Sequence, residues 1–512
     1  MPIYIGSDIT ADTTLQCDVC IVGSGAGGAV LAQRLVAHGK KVILLEDGGF
    51  HTSENFTLLE RDMMPRLYQE LAGRATVDQG MVILQGRAVG GTTVVNWTTC
   101  FRTPKDILEY WREHHGVEGL THEALIPHWE SVEQRIGVTK MRLEQVNRNN
   151  LVSWRGLEKL GWHRDLLSRN VRNCAHSGYC GMGCPIDAKQ SMLVTFIPDA
   201  VKAGVDVYAN AWVERVVRNG RKITGVVARL RDPATDKRNG KTLTVNAKVT
   251  VLSAGAINSP AILLRSEING NGRTGFRTFF HPAVGGIGVH DEVIEPFVGS
   301  PQYVYSDQFI KRDGKMTFLI EGGPAFPVTA SAFPPILGEE RKAQLQHLPH
   351  MSITGALVHD GFDRSNRDDG GRVSLKPNGH PKIEYPFTDR LREGLRAASK
   401  ATMEIQLAGG ARQVWSGTAY ARTSTEIDRA LDGMSFEPTR IPLFVAHCMG
   451  GCPMGKDPKE AVVDSRTLRH HELDNLFVVD GSVYPTSVTV NPQLSIYGLA
   501  SWAAQHVEAA VA

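Results

Sequence analysis

The chain has 512 residues, a formal charge of +2 and 42% hydrophobic residues, so it can bury one large core or several, with two to four domains as the length prior. So slight a positive balance gives no argument for nucleic acid or an acidic membrane surface. No apolar run reaches transmembrane length, residues 1–16 lack a basic start and an apolar signal core, and eight cysteines make no disulfide scaffold; a cytoplasmic, reducing setting is expected.

In chain order, residues 17–49 read as a strand, a glycine turn, a helix and a second strand. Asp18-Val19-Cys20-Ile21-Val22 is apolar and β-branched, as a buried parallel strand requires. Gly23-Ser24-Gly25-Ala26-Gly27-Gly28 follows at once. Gly23 permits the tight turn, Gly25 permits close approach of a pyrophosphate, and Gly28 permits the helix to pack on the sheet. Residues 29–38 have helical apolar spacing, and the helix N-terminus, with Ala26, faces the phosphates. Glu46 ends the second strand, where an acid accepts hydrogen bonds from a ribose hydroxyl. The stretch predicts a dinucleotide site without separating NAD from FAD.

Residues 50–79 are mixed and helical in part. Then comes Gln85-Gly86-Arg87-Ala88-Val89-Gly90-Gly91-Thr92-Thr93-Val94-Val95-Asn96, whose glycines and small hydroxyls suit backbone wrapped around a ligand, or a tight surface loop. This segment resembles the first signature of the glucose–methanol–choline (GMC) flavoenzymes, and Gly255-Ala256-Ile257-Asn258-Ser259-Pro260-Ala261-Ile262-Leu263 resembles their second. The family usually continues Ser-Gly-apolar-Gly, where this chain has Ser266-Glu267-Ile268-Asn269. The resemblance covers nearly the whole chain. It implies an α/β fold, with a Rossmann-like FAD-binding domain and an α+β substrate domain built on an antiparallel sheet. It also implies FAD along Gly86, Arg87, Gly90, Gly91, Thr92 and Asn96, with the backbone near Val213 and Ala254 at the adenine side.

Residues 103–144 read as solvated helices; 213–217 and 223–230 as strands; 248–255 as a strand entering a glycine turn. Residues 276–440 carry no nucleotide motif, show β-like runs such as 316–320, and turn helical at 391–407. The expected division is residues 1–285 and 441–512 for the FAD domain and 286–440 for the substrate domain. His281-Pro282 sits at the entrance to the latter, as a structural or pocket-lining histidine.

Two C-terminal stretches carry the chemistry. They are Val445-Ala446-His447-Cys448-Met449-Gly450-Gly451-Cys452-Pro453-Met454-Gly455 and residues 476–495, which include Asp480-Gly481-Ser482 and Val490-Asn491-Pro492-Gln493. Both resemble the family's C-terminal core, where a histidine and a later histidine or asparagine meet above the flavin; His447 and Asn491 occupy those positions. Histidine takes a hydroxyl proton near its working pH, and asparagine holds the oxygen without titrating. Asp480 and Gly481 are expected at the ribityl–phosphate portion, and Pro492 and Gln493 open a helix aimed at the flavin pyrimidine. The expected function is FAD-dependent oxidation of an apolar aliphatic or aromatic primary alcohol, with electrons passed to an external acceptor. Alternatives are a flavin-only oxidase reducing O2 to H2O2, a sugar or polyol dehydrogenase, and a catalytically idle flavoprotein. The aromatic residues of 326–333 agree with an apolar alcohol.

Cys174, Cys180 and Cys184, with glycines between them and Pro185 after, form a loop that suits an iron–sulfur cluster. The spacing resembles catalytic subunits of FAD-dependent glucose and sorbitol dehydrogenases, which hold a [3Fe–4S] cluster and work with a small accessory subunit and a cytochrome. Those relatives carry a further cysteine beside the first, where this chain has Asn173 and Ala175. Alcohol oxidases of the family keep similar loops without iron, and zinc with His176 is a weaker rival.

Overall fold

The computed structural model describes residues 3–511, apart from 312–315, 333–337, 364, 367 and 368. The run Asp18–Val22 forms the buried end of the strand Thr13–Val22. It pairs in parallel with Val42–Leu45 on one side and with the long strand Arg238–Leu252 on the other. Asp206–Tyr208 and then Ile3–Tyr4 extend the sheet beyond Val42–Leu45. Cover on both faces explains the unbroken apolar runs. The helix Ala26–Ala37 packs against Gln493–Ala509 and Phe196–Lys202.

The strand Arg238–Leu252 changes partner along one edge. Its first half is antiparallel to Lys222–Arg231, in a meander with Ala211–Asn219. Its end, from Thr250 to Leu252, runs parallel to Leu476–Val478. The C-terminal segment thereby joins the first sheet directly beside the glycine turn.

A second sheet is antiparallel and ordered Ala419–Ala421, Gln413–Ser416, Ala283–Val289, Met351–Val358, Phe318–Gly322, Val304–Phe309 and Asp165–Leu166. Phe444–Val445 pairs with Ala283 and, in parallel, with Val82–Ile83. The helix Asp389–Ala408 covers this sheet, close to the helix expected at 391–407. Phe326 and the helix Pro327–Ala332 are described; Phe333 lies outside the described residues. Among the described residues no helix is long and apolar enough to cross a membrane.

Two glycines of the turn have separate reasons. Gly23 has φ +101, and an added Cβ would stand 2.3 Å from the Ser253 carbonyl oxygen. At Gly28 a Cβ would stand 1.9 Å from the Gly23 oxygen, so helix and strand meet there only without a side chain. Gly39 has φ +76 and open space around it. Gly28→Ala is therefore expected to lose about 3 kcal/mol through overpacking, and Gly39→Ala about 1 kcal/mol through the left-handed backbone alone. Urea unfolding checks the order; equal losses would contradict it.

Candidate active site

A cavity of about 660 Å³ lies between the two sheets, within the roughly 300–1,000 Å³ range of small-molecule sites. Gly23, Gly25 and Ala26 form one wall. A Cβ at Gly25 would meet nothing nearer than the Gly91 Cα at 3.7 Å, which leaves bare backbone beside the helix N-terminus. Gly86, Arg87, Gly91, Thr92 and Asn96 continue the wall, with Val213, Ala254, Asp480, Gly481, Asn491, Pro492 and Gln493. Gly28 and Gly90 do not reach the cavity surface and serve packing instead.

The loops that form this wall are tied to each other. Ser24 Oγ donates to Glu46 Oε2 at 2.7 Å and accepts from the Gly90 N–H at 2.9 Å. The other Glu46 oxygen accepts from the Gly48 N–H at 2.9 Å. Glu46 thus lines the cavity, and both of its oxygens accept hydrogen bonds from the neighbouring loops. Arg87 is paired with Asp47 at 2.9 Å and with Asp236 at 2.7 Å. Asp480 accepts from the Gly255 N–H, Ser259 Oγ and the Ser482 N–H, fastening the C-terminal segment to the helix Gly255–Arg265. The Gln493 side chain is held by Asn96 Nδ2 at 2.6 Å and by the Thr99 carbonyl at 2.7 Å.

Sequence reasoning missed Lys189. Its Nζ donates to the carbonyls of Val94, Asn96 and Cys180, pinning the first signature loop from beneath. Burial lowers its pKa to about 8. An isolated lysine in a loop carries no signal that separates this role from solvent exposure.

At the other end of the cavity, the strands Thr278–Phe280 and Cys448–Gly450 pair, and this brings His281 beside His447. His447 Nδ1 lies 3.1 Å from His281 Nδ1, and His281 Nε2 lies 2.8 Å from Ser487 Oγ. His447 lines the cavity; His281 is buried behind it and is not part of the wall. Burial lowers the His447 pKa to about 4 and drives that of His281 well below the usual range. Asn491 Nδ2 stands 3.5 Å from His447 Nε2, which places a donor toward that nitrogen. The arrangement that agrees has His447 Nδ1–H donating to His281, His281 Nε2–H donating to Ser487, and a lone pair on His447 Nε2.

Glu321 completes this end and was also missed. Its Oε2 accepts from Gln302 Nε2 at 2.6 Å and from Asn491 Nδ2 at 3.2 Å. Burial raises its pKa to about 8. In the sequence it closes the run Phe318-Leu319-Ile320, and an acid ending a buried apolar strand was the available signal. Asn96 Oδ1, Asn491 Oδ1 and Glu321 Oε1 all belong to cavity-lining residues and are buried without a partner among the described residues. Bare backbone and a helix N-terminus at one end of the cavity fit a large polar cofactor.

The cysteine loop requires a correction. Cys174 Sγ accepts from the His176 N–H, Cys180 Sγ from Arg169 Nη2, and Cys184 Sγ from the Lys189 N–H. Among the described residues, no three His, Cys, Asp or Glu side chains are placed to hold a metal ion. His176 is engaged with the Tyr303 hydroxyl. The [3Fe–4S] and zinc expectations therefore find no ligand set among the described residues. The loop instead supplies Gly181 and Met182 to the cavity wall.

Comparison with known proteins agrees with this geometry. Models of the GMC oxidoreductase N- and C-terminal regions match residues 63–286 and 367–500. A GMC-type oxidoreductase of Mycobacterium tuberculosis is 31% identical over 95% of this chain and 75% of its own. A long-chain-alcohol oxidase of Arabidopsis thaliana is 29% identical over 95% of this chain and 66% of its own. Among solved structures, pyridoxine 4-oxidase from Mesorbium loti matches with TM-score 0.70 and 20% identity over 96% of this chain and 98% of its own. Formate oxidase of Aspergillus oryzae, described with its FAD, matches with TM-score 0.71 and 16% identity over 98% and 99%. The chain belongs to the GMC oxidoreductase family.

Proposed function

We propose that the cavity holds FAD and that the protein oxidises an apolar primary alcohol to the aldehyde, with oxygen as electron acceptor. The observation that carries this reading is the meeting of His447 Nε2 and the Asn491 amide on one cavity wall, with an imidazole kept neutral by burial. Gly23, Gly25 and Ala26 would hold the pyrophosphate, Val213 and Ala254 the adenine end, and Gly481 and Pro492 the flavin end. When bound, FAD supplies a hydride acceptor at N5 of its ring.

His447 Nε2 takes the hydroxyl proton, and the bond from Nδ1 to His281 fixes the tautomer that leaves the lone pair on Nε2. Asn491 orients the oxygen without titrating. Phe326, Leu348, Met351, Ile353, Trp415 and Phe444 line the same cavity and favour an apolar tail. The similarity to long-chain-alcohol oxidases supports both the substrate class and oxygen as acceptor.

With n-octanol in air, the protein is expected to form aldehyde and hydrogen peroxide in equal amounts. Aldehyde formed only with an added dye would make it a dehydrogenase. His447→Ala is expected to lower turnover by roughly 10²–10⁴-fold while acid still releases a full complement of flavin. Turnover within tenfold of the parent would remove His447 from the mechanism. Because the base must be neutral, kcat/KM should hold as pH falls until about 4 and then drop. An acid limb near the ordinary histidine value would contradict the assignment.

A further inference from the structure

We infer that Gly355 and Gly285 are specificity-determining residues, the floor of a trench in the cavity that takes the unbranched methylene chain of a primary alcohol. This rests on the reading of the cavity as an alcohol-oxidation site. Ala283–Val289, Met351–Val358 and Phe318–Gly322 are adjacent strands of the antiparallel sheet, and their register sets Glu321, Gly355 and Gly285 side by side in one row across it. Residues directly opposite share a face, and all three line the cavity. Neighbouring strands lie about 4.8 Å apart, so the row runs about 10 Å from Glu321 to Gly285. It starts at the reactive end, because Glu321 Oε2 accepts from Asn491 Nδ2 at 3.2 Å and Asn491 stands beside His447.

The rows on either side carry large apolar side chains. One holds Leu357 and, through Ala283, Phe444. The other holds Ile353, Ile287 and Trp415. All five of these side chains belong to cavity-lining residues. Two apolar walls with bare backbone between them make a trench that crosses the strands. At its far end the neighbour of Ala283–Val289 changes from Phe444 to Trp415. Gly417, just past Trp415, and Pro442, just before Phe444, line the cavity there.

The fold itself does not require glycine at either position. Neither residue has a left-handed φ. A Cβ at Gly285 would meet nothing nearer than 3.7 Å, and one at Gly355 nothing nearer than 3.6 Å. The glycines on the opposite face of the same strands differ. There a Cβ would stand 2.6 Å from the Thr402 carbonyl carbon at Gly286, and 2.5 Å from Gln406 Oε1 at Gly288. At Gly322 it would stand 2.1 Å from Asn150 Oδ1. Those glycines serve packing. A glycine inside a strand weakens it and marks close approach by another backbone or a ligand. The atoms nearest to Gly285 and Gly355 belong to their own sheet, which leaves the ligand. A linear chain in the trench gains apolar contact with both walls, and a side chain at either glycine would take its place.

The test uses the flavin-loaded protein with Gly285→Val, Gly355→Val and, as a packing control, Gly286→Val. Each methylene laid in the trench is expected to raise kcat/KM about fourfold, and four of them about 200-fold, so wild type should favour n-dodecanol over n-butanol by about that factor or more. Gly285→Val should cut this ratio at least about tenfold. Gly355→Val lies one strand nearer Glu321, so it should also cut the ratio of n-octanol to n-butanol, and more deeply than Gly285→Val does. Thermal unfolding separates selectivity from damage. Valine suits a strand with open space before it, so the first two variants should keep the wild-type midpoint and Gly286→Val should lower it. Unchanged ratios, or midpoints lowered as far as in Gly286→Val, would overturn the proposal. Calorimetric binding of dodecanamide and butanamide, which carry no alcohol to oxidise, gives a readout apart from turnover. Wild type should bind dodecanamide more tightly, and Gly355→Val should lose the difference. If wild type binds the two amides alike, the trench is refuted even when alcohols are oxidised. If the difference is present and lost in the variant but no alcohol is oxidised, the alcohol reading fails and the trench stands.

Discussion

Burial without compensating charge is the constraint that organises the reactive end of this molecule. His281 and Glu321 are buried and His447 is half-buried at the cavity wall, and none has an ionic partner at hydrogen-bond distance. Each bonds to a neutral group: another imidazole, a serine hydroxyl or a side-chain amide. In such a setting the neutral imidazole prevails, so the histidine is free to accept a proton. The Arg87 end of the same cavity follows the opposite rule. There the guanidinium is shared by Asp47 and Asp236, so charge is present but balanced. One cavity therefore offers a charged, tied wall at one end and a neutral, dry one at the other.

The scaffold delivers this contrast through the change of partner along the strand Arg238–Leu252. Because its end pairs with Leu476–Val478, the chain that follows enters beside the glycine turn, and Asp480 fastens it there. Phe444–Val445, some thirty residues earlier, belongs to the antiparallel sheet instead. His447 follows that strand directly and Asn491 follows Asp480, so the two reach one wall from different sheets. The 3.5 Å between them thus depends on how the sheets are joined. A substitution at that junction is a change to catalytic geometry as much as to stability.

The sequence made some of this legible. The parallel strand, the glycine turn and the helix after it follow from β-branched runs, glycine spacing and helical periodicity, which are local properties. His447 and Asn491 were identified by resemblance, and the structure brings them together, though no spacing rule predicts a contact across 44 residues. Glu46 lines the cavity at the end of its strand, and its oxygens also accept from Ser24 and Gly48. Cys174, Cys180 and Cys184 illustrate a limit, since spacing cannot show where each sulfur finds its donor. Lys189 and the bond between His281 and His447 arise from tertiary pairing, and their neighbours in sequence carry no trace of it; Glu321 had only its place at the end of an apolar run.

The central claim is that this cavity removes a hydride and a proton from one alcohol, with His447 as the base. Anaerobic stopped-flow mixing of the flavin-loaded protein with n-octanol, and with n-octanol carrying deuterium on its hydroxyl-bearing carbon, tests it most directly. The account predicts bleaching of the flavin band in a single step, slowed by the deuterium and slowed far more in His447→Ala. A flavin band that stays oxidised with n-octanol, or bleaching equally fast in His447→Ala, would contradict it.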